Sequence, residues 1–441
     1  MAAQATAGSG RIRVMVEMAV DTRADTRQIF AYVQEWKGSA RFDVDRAYTP
    51  VAIRPRKAER ERILSSGQRV VVVAGWIPRD DMRALENQPG VLRVSIDTPL
   101  EPFLEARSTV AAYSSHGEPI GNVKRLVKKL GVDRIWAKGY RGEGVVVGVV
   151  DGGITARGRD VEIGEQARIP MPPATGRVVD GWPYDWGTTA RGWSEHGNMI
   201  AFDVQAVAPA VTLWDIRIWE PGADFPGFAR NAVAGFRAAI DHYRAHGVPH
   251  ILTNSWGLYD STFDPVYAFD PESPVARMVE EALDEGMLVL FAAGNCGASC
   301  PAGRCGAGDV GRGKSILGPN GHPRVMTVGA ADLHDEWCGF TSQGVATLPP
   351  NARKPDFCGY TGFDGYFPSA DWTIRDFDGG TSAATAVAAG VVALLKQRRP
   401  DLSQADAKAA LRETAIDIRA AGFDLDSGAG IIRAKAAFNA I

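Results

Sequence analysis

Ser382 is the first residue whose type and setting could do chemistry. It follows the turn Asp378-Gly379-Gly380-Thr381 and opens a run of small residues over 383–395. This pattern predicts that the Ser382 hydroxyl lies at the start of a helix, where such an oxygen is commonly a helix cap. A nucleophilic serine would instead need a base, an orienting acid and an oxyanion donor elsewhere in the chain.

Asp151 and His196 are the candidates for the acid and the base. Asp151 ends the apolar run 145–150 and precedes two glycines. Ligands of open parallel sheets bind beyond the carboxyl ends of the strands, which would place the Asp151 carboxylate at a reactive edge. A turn aspartate is at least as common in that setting. His196, before Gly197, is either a surface histidine at a helix start or a base whose tautomer a carboxylate fixes.

Two further strand ends supply candidate substrate contacts. The apolar run 288–293 leads into Gly294-Asn295, which is either an ordinary turn or the site of an amide donor to a developing oxyanion. Such a donor contributes about 2.7–4 kcal/mol in acyl transfer. The segment Asn254-Ser255-Trp256-Gly257 ends another predicted strand, and its backbone could pair with an extended peptide.

Together these motifs resemble those of the subtilisin-like serine proteases. The resemblance covers residues 123–441 and, more loosely, 11–98. The matching segments are Val149-Val150-Asp151-Gly152-Gly153-Ile154, His196-Gly197, Val207-Ala208-Pro209, Asn254-Ser255-Trp256-Gly257, Ala292-Ala293-Gly294-Asn295 and Gly380-Thr381-Ser382. The order Asp, His, Ser is that of the subtilisin-type triad and differs from the chymotrypsin and α/β-hydrolase orders.

The resemblance implies a role for each of these residues. Ser382 would be the nucleophile, His196 the general base and then acid, and Asp151 the orienting carboxylate. Asn295 and the Ser382 backbone N–H would form the oxyanion hole. The pocket for the side chain preceding the cleaved bond, and contacts to the peptide main chain, would come from Ser255, Trp256, Gly257, Ala292, Ala293 and Gly294.

The implied activity is that of a serine endopeptidase that acts through an acyl-enzyme on extended protein or peptide segments. The alternative is a catalytically silent subtilisin-like module that binds peptides. Sedolisins also carry a serine in a similar turn, but they have acidic residues where this chain has His196 and Asn295. An acid-optimum sedolisin is therefore not expected.

Several departures from the family pattern favour a selective enzyme over a digestive one. Gly152 replaces a hydroxyl residue after the aspartate, and Ala386 replaces a common proline in the serine helix. The path from His196 to Val207 is too short for the calcium loop of many relatives, so we expect no calcium site there and no required cofactor. Two insertions, residues 157–193 and the acidic 258–273, are ordinary surface loops or specificity loops; the acidic one could favour basic substrates or bind an ion.

The elements that must position these residues fall into two domains. Residues 11–98 predict a small β-α-β-β-α-β domain of the ferredoxin-like type, with strands at 11–20, 48–53, 70–76 and 91–96 and helices at 26–36 and 78–85. Residues 99–122 lack a sustained period and predict a linker. From there to residue 441, helices alternate with buried strands, which predicts the subtilisin-like three-layer α/β fold with a mostly parallel sheet.

The predicted elements of this second domain can be stated by residue. Strands are expected at 145–150, 211–216, 251–255, 288–292 and 325–328, and helices at 197–204, 228–246, 274–286, 381–398 and 404–414. By the resemblance, the N-terminal domain is an inhibitor-type prodomain that assists folding and blocks the site until it is cleaved within 99–122. A retained accessory domain is the alternative.

Composition limits the class of partner. The 441 residues carry a net charge of −3, which gives no reason to expect binding to nucleic acid or to an anionic membrane. No apolar run is long enough to span a membrane. Residues 1–10 do not form a secretory signal, so the protein is either cytoplasmic or exported by another route. Five cysteines exclude complete pairing, and Cys296, Cys300 and Cys305 could hold a disulfide or, with three thiolates, a metal.

Overall fold

The computed structural model of the chain describes residues 10–36, 41–103, 120–156, 159, 177–188, 194–219, 227–366 and 377–441. The N-terminal domain contains, in chain order, β1 (Arg11–Asp21), α1 (Thr26–Gln34), β2 (Asp43–Val44), β3 (Val51–Ile53), α2 (Arg60–Ser65), β4 (Gln68–Pro78), α3 (Met82–Glu86) and β5 (Val91–Ile96). Its antiparallel sheet has the order β2-β4-β1-β5, with β3 also on β4. That order is the one expected for the ferredoxin-like motif.

Alternation of side chains along β1 gives this sheet two apolar faces. Val14, Val16 and Met18 point toward α1 and α3 and form a core of their own. Met15 and Ala19 point the other way, into a core shared with the second domain. A strand of period two that is apolar on both faces must be covered on both sides, so the sheet requires a partner surface outside its own domain.

A short strand, β6 (Pro99–Pro102), follows the N-terminal domain within the segment predicted to be a linker. The elements that follow are α4 (Val123–Leu130), α5 (Asp133–Trp136), β7 (Val146–Asp151), β8 (Val178–Trp182), α6 (Ser194–Val207), β9 (Thr212–Arg217), β10 (Gly227–Phe228), α7 (Ala229–His246), β11 (Ile251–Asn254), β12 (Trp256–Gly257), α8 (Pro265–Phe269), α9 (Pro274–Asp284), β13 (Leu288–Ala292), β14 (Met326–Ala331), β15 (Phe357–Tyr360), α10 (Gly380–Arg398), α11 (Gln404–Glu413) and α12 (Ala434–Ala440). No helix among the described residues is long and apolar enough to cross a membrane.

The central sheet has seven strands in the order β15-β14-β13-β11-β7-β9-β8, all parallel. Helices α6 and α10 cover one face, together with α4, α5, α11 and α12. Helices α7 and α9 cover the other face and also contact the N-terminal sheet. The three-layer subtilisin-like fold with an antiparallel N-terminal domain is thus confirmed.

Charged groups tie the two domains together. The Arg277 guanidinium on α9 donates to the Glu17 carboxylate of β1, and both side chains are almost completely buried. Arg230 on α7 donates to Asp97 at 3.0 Å, again with both groups buried. Removing one partner of a buried pair leaves the other charge without compensation, so these contacts make the interface intolerant of single charge changes.

The acidic insertion 258–273 contributes to the same interface. The Asp264 carboxylate accepts from the Thr98 hydroxyl, and burial raises the pKa of Asp264. Arg93 donates to Asp270 at 2.5 Å. Two of the carboxylates that the sequence suggested for substrate or ion binding therefore contact the N-terminal domain. The Trp-rich insertion, residues 157–193, lies largely outside the described residues.

Candidate active site

Three neighbouring strands of the central sheet bring the candidate residues to one edge. Asp151 is the last residue of β7, β11 ends at Asn254 beside it, and β13 ends at Ala292 on the far side of β11. Because all three strands are parallel, their carboxyl ends meet at the same edge, where an open α/β sheet binds its ligands.

Asp151 and His196 contact each other directly. The His196 Nδ1 lies 2.8 Å from Asp151 Oδ1 and 3.0 Å from Oδ2, and both side chains are buried. This geometry suits an imidazole whose Nδ1–H is held by the carboxylate while Nε2 serves as the base. The Gly152 backbone N–H also donates to Asp151 Oδ1, at 2.7 Å, so a backbone donor supports the carboxylate.

Ser382 lies in the first turn of α10, which packs against α6, the helix that carries His196. Its hydroxyl donates to the Ser255 backbone carbonyl at 3.1 Å, directly after β11. In return the Ser255 hydroxyl donates to the Ser382 carbonyl at 3.2 Å. The structure therefore places the serine, the histidine and the aspartate around the same strand ends.

Asn295 is held by a residue that the sequence reasoning did not single out. Its Oδ1 accepts from the Thr381 backbone N–H at 3.1 Å and from the Thr381 hydroxyl at 2.9 Å. These bonds fix which way the amide faces, so Nδ2 points toward the cleft. The available signal was the position of Thr381 directly before the serine.

A buried pair of carboxyl groups lies behind the site. Asp203, two helical turns after the histidine on α6, is hydrogen-bonded to Asp378, which precedes the glycine pair at the start of α10. Burial, followed by the negative charge of Asp378, raises the pKa of Asp203 well above its usual value. Both causes disfavour the charged form of the Asp203 carboxyl group.

The chain's own residues 99–103 lie in the cleft as an extended segment. Strand β6 pairs antiparallel with β10 on one side and with β12 on the other, where Pro102 is opposite Trp256 and Glu101 opposite Gly257. The Phe103 N–H then donates to the Ser255 carbonyl at 3.0 Å. This is the strand addition that the sequence suggested for the backbone after β11.

Phe103 ends this segment with both its carbonyl and its ring bound. The Phe103 carbonyl accepts from Asn295 Nδ2 at 2.8 Å. Gly380, with φ of 72°, makes room for that oxygen, since an added Cβ would lie 2.2 Å from it. The ring is 2% exposed and packs edge-on against Tyr259, with 5.1 Å between ring centroids.

The pocket around the ring uses some of the predicted substrate residues and not others. Ala292 packs in one cluster with the ring, and a Cβ added to Gly257 or Gly294 would lie 2.6 or 3.5 Å from the Phe103 Cζ. The Ala293 methyl packs in a separate cluster. The Trp256 indole is fully buried and donates to the Val150 carbonyl, so Trp256 meets the bound segment through its backbone.

Cysteines border the same pocket. Cys296 and Cys305 form a disulfide, and Cys296 packs with the Phe103 ring, with Cys305 partly buried against the cluster. Cys300 is not in that disulfide. Within the described part of the chain no group of three or more His, Cys, Asp and Glu side chains could hold a metal ion. The expectation that the calcium loop is missing remains a prediction.

Known proteins match the chain in sequence and structure. A sequence model of the subtilase family matches residues 142–430. Fervidolysin from Fervidobacterium pennivorans is 25% identical over 343 residues, covering 73% of this chain and 44% of fervidolysin. Subtilisin DY from Bacillus licheniformis is 27% identical over 309 residues, covering 69% of this chain and 94% of its own. The fervidolysin crystal structure, described as a keratinolytic enzyme related to subtilisin, matches with a TM-score of 0.56 at 18% identity, covering 97% of this chain and 61% of that one.

Proposed function

The chain belongs to the subtilase family of serine endopeptidases, and on that premise we propose that Ser382, His196 and Asp151 form its catalytic triad. The observation that carries this proposal is the Phe103 carbonyl, held by Asn295 at the start of the helix that bears Ser382. A carbonyl in that position is where an acyl group must lie to be attacked and to have its oxyanion stabilised.

The reaction follows from these positions. Ser382 Oγ bonds to the substrate carbonyl carbon while His196 takes the hydroxyl proton, and the Asp151 carboxylate stabilises the imidazolium. The peptide C–N bond breaks as His196 gives that proton to the leaving amine. Water then adds to the acyl-enzyme, its proton passing through His196 to the departing Ser382 oxygen. Asn295 Nδ2 and the Ser382 N–H donate to the oxyanion in both steps.

We also propose that the N-terminal domain is an inhibitor whose tail occupies its own active site. Residues 99–103 use the strand pairing and the pocket that a substrate would use. The extended interface through α7 and α9 holds that tail in place. The bond to be cut would be Phe103–Leu104, within the predicted segment 99–122, and the pocket favours an aromatic side chain before the cut.

A fluorophosphonate probe tests the proposed enzyme against a silent peptide-binding module. We expect the probe to label the processed protein covalently at Ser382 and not to label a Ser382→Ala variant. Absence of labelling in protein whose N-terminal domain has been released would refute the triad. The probe reacts with the nucleophile itself, so the test does not depend on knowing the substrate.

A further inference from the structure

The loop over residues 296–305 directly follows Asn295 and is closed by the Cys296–Cys305 disulfide, with Cα atoms 5.8 Å apart. Arg304 is the residue before the second cysteine. Because the loop is short and closed at both ends, the backbone position of Arg304 is fixed relative to the pocket wall that the two cysteines help to form.

The Arg304 guanidinium spans the cleft to the bound segment. Its Nη1 donates to the Glu101 carboxylate at 2.5 Å, and its Nη2 lies 3.3 Å from the Pro102 carbonyl. The guanidinium carbon lies 4.3 Å from the centroid of the Tyr259 ring, and Nη2 donates to the Tyr259 hydroxyl at 2.9 Å. Stacking and this second hydrogen bond orient the planar group before it meets a carboxylate.

The strand register determines which residue of a bound peptide meets Arg304, so the contact is not particular to the chain's own segment. Phe103 is the first residue before the Phe103–Leu104 bond, and Glu101 is the third. The antiparallel pairing places Glu101 opposite Gly257, and the ring pocket fixes Phe103. Any extended peptide bound with the same pairing brings its third residue to Arg304.

Two carboxylates in neighbouring loops, those of Asp260 and Asp309, accept hydrogen bonds from other residues. Asp260 accepts from the Thr262 backbone and hydroxyl at 2.9 and 2.6 Å. Asp309 accepts from the Ser261 N–H at 2.8 Å. Both carboxylates therefore have hydrogen-bond partners within the loops, while Arg304 contacts the Glu101 carboxylate.

We propose that Arg304 is a specificity-determining residue that selects substrates with a carboxylate at the third position before the cleaved bond. The proposal rests on the proposed function and adds a substrate class: extended segments with Asp or Glu at the third position and an aromatic residue at the first. The selection reverses the preference for basic residues that the acidic insertion suggested. With the Arg304 and Glu101 side chains 34% and 29% exposed, water screens the pair in part.

A charge-swap cycle in the intact chain tests the proposal. Four proteins are compared: the natural chain, Glu101→Lys, Arg304→Glu and the double variant. The measurement is the first-order rate at which a fragment ending at Phe103 appears, followed by quenching and mass spectrometry. Each single variant should slow this step about three- to ten-fold, and the double variant should return to within about two-fold of the natural rate.

Lys314→Glu is the matched control, because it makes the same charge change on an exposed lysine further along the chain. It should leave the rate unchanged. The proposal is wrong if the control slows cleavage as much as Arg304→Glu does. It is also wrong if the cleavage rate of the double variant falls by the product of the two single-variant factors, because Arg304 would then not select the residue at the third position.

A second measurement separates this inference from the proposed function. If no variant cleaves itself and the probe does not label Ser382, the triad fails, and the same charge swaps are then made in Ser382→Ala and followed by thermal unfolding. A lower Tm in both single variants with recovery in the double variant would still support recognition of the carboxylate. Additive losses without recovery would overturn it.

Discussion

Replacing Asn295 by alanine should slow cleavage far more than it disturbs binding of the tail. The variant removes the Nδ2 donor that lies 2.8 Å from the Phe103 carbonyl. Loss of one oxyanion donor costs about 2.7–4 kcal/mol in the transition state, or a rate lower by about 10²–10³. The tail would remain bound through its strand pairing and its ring pocket, so the substrate would still reach the serine.

The same replacement also has a cost in stability that must be measured separately. Asn295 is fully buried, and its Oδ1 accepts from both the N–H and the hydroxyl of Thr381. Leaving these two donors unpaired should lower the free energy of unfolding by about 1–3 kcal/mol. Thermal unfolding in the Ser382→Ala background reads this loss without interference from cleavage.

Thr381→Val is the control for Asn295→Ala, because it removes one of the bonds to Oδ1 and retains the Nδ2 donor. Its cleavage rate should fall much less, while its Tm also drops. The assay for both is the first-order rate of cleavage after Phe103 in the intact chain. A rate for Asn295→Ala within about three-fold of the natural chain, together with the expected loss of stability, would refute the oxyanion role.

Three further outcomes are expected. Gly257→Val should slow cleavage after Phe103 at least ten-fold, since a Cβ there would lie 2.6 Å from the ring, and mass spectrometry of the fragments measures it. Glu17→Gln should destabilise the Ser382→Ala chain by about 3–5 kcal/mol, because its buried arginine partner loses its counter-charge; an unchanged Tm would contradict this. The raised pKa of Asp203 means that the folded state binds more protons than the unfolded one. Its contribution to stability is present below pH 3.8 and is lost as pH rises through the raised pKa. Asp203→Asn, still paired with Asp378, should therefore weaken the decline with pH of the free energy of unfolding, which urea unfolding measures at each pH.

Candidate residues for the proposed triad could be selected from the sequence because each lies at a boundary with a local signal. Asp151 ends a run of valines, and Ser382 follows a glycine pair, so periodicity and turn residues place both at element ends. The predicted strand at 288–292 matches β13, and the helix at 228–246 begins within one residue of α7. Long apolar patterns determine their own secondary structure.

The short elements were missed for physical reasons. Strand β15 reads Phe-Cys-Gly-Tyr, with a glycine and without β-branched residues, so only its neighbour β14 and the helix α10 make it a strand. Helix α2 has just one buried residue, Ile63, and its pattern shows no apolar stripe. Tertiary packing determines the conformation of such short segments, and their local sequence contains little information about that packing.

The sequence alone also could not predict which segment occupies the cleft. Residues 99–103 show no strand period, and their extended form comes from pairing with β10 and β12. Arg304 is 203 positions from Glu101 in the chain, and the two meet only through the fold. The sequence predicted that a cleavage site lies in 99–122, whereas the bound ring of Phe103 directs the proposal to one bond.

Intact-mass analysis of the natural chain beside Ser382→Ala tests the central claim most directly. We predict that the natural chain yields one fragment ending at Phe103 and one beginning at Leu104, while Ser382→Ala stays whole under the same conditions. Cleavage at that bond in Ser382→Ala, or a natural chain that stays whole and is not labelled by the fluorophosphonate, would contradict the account.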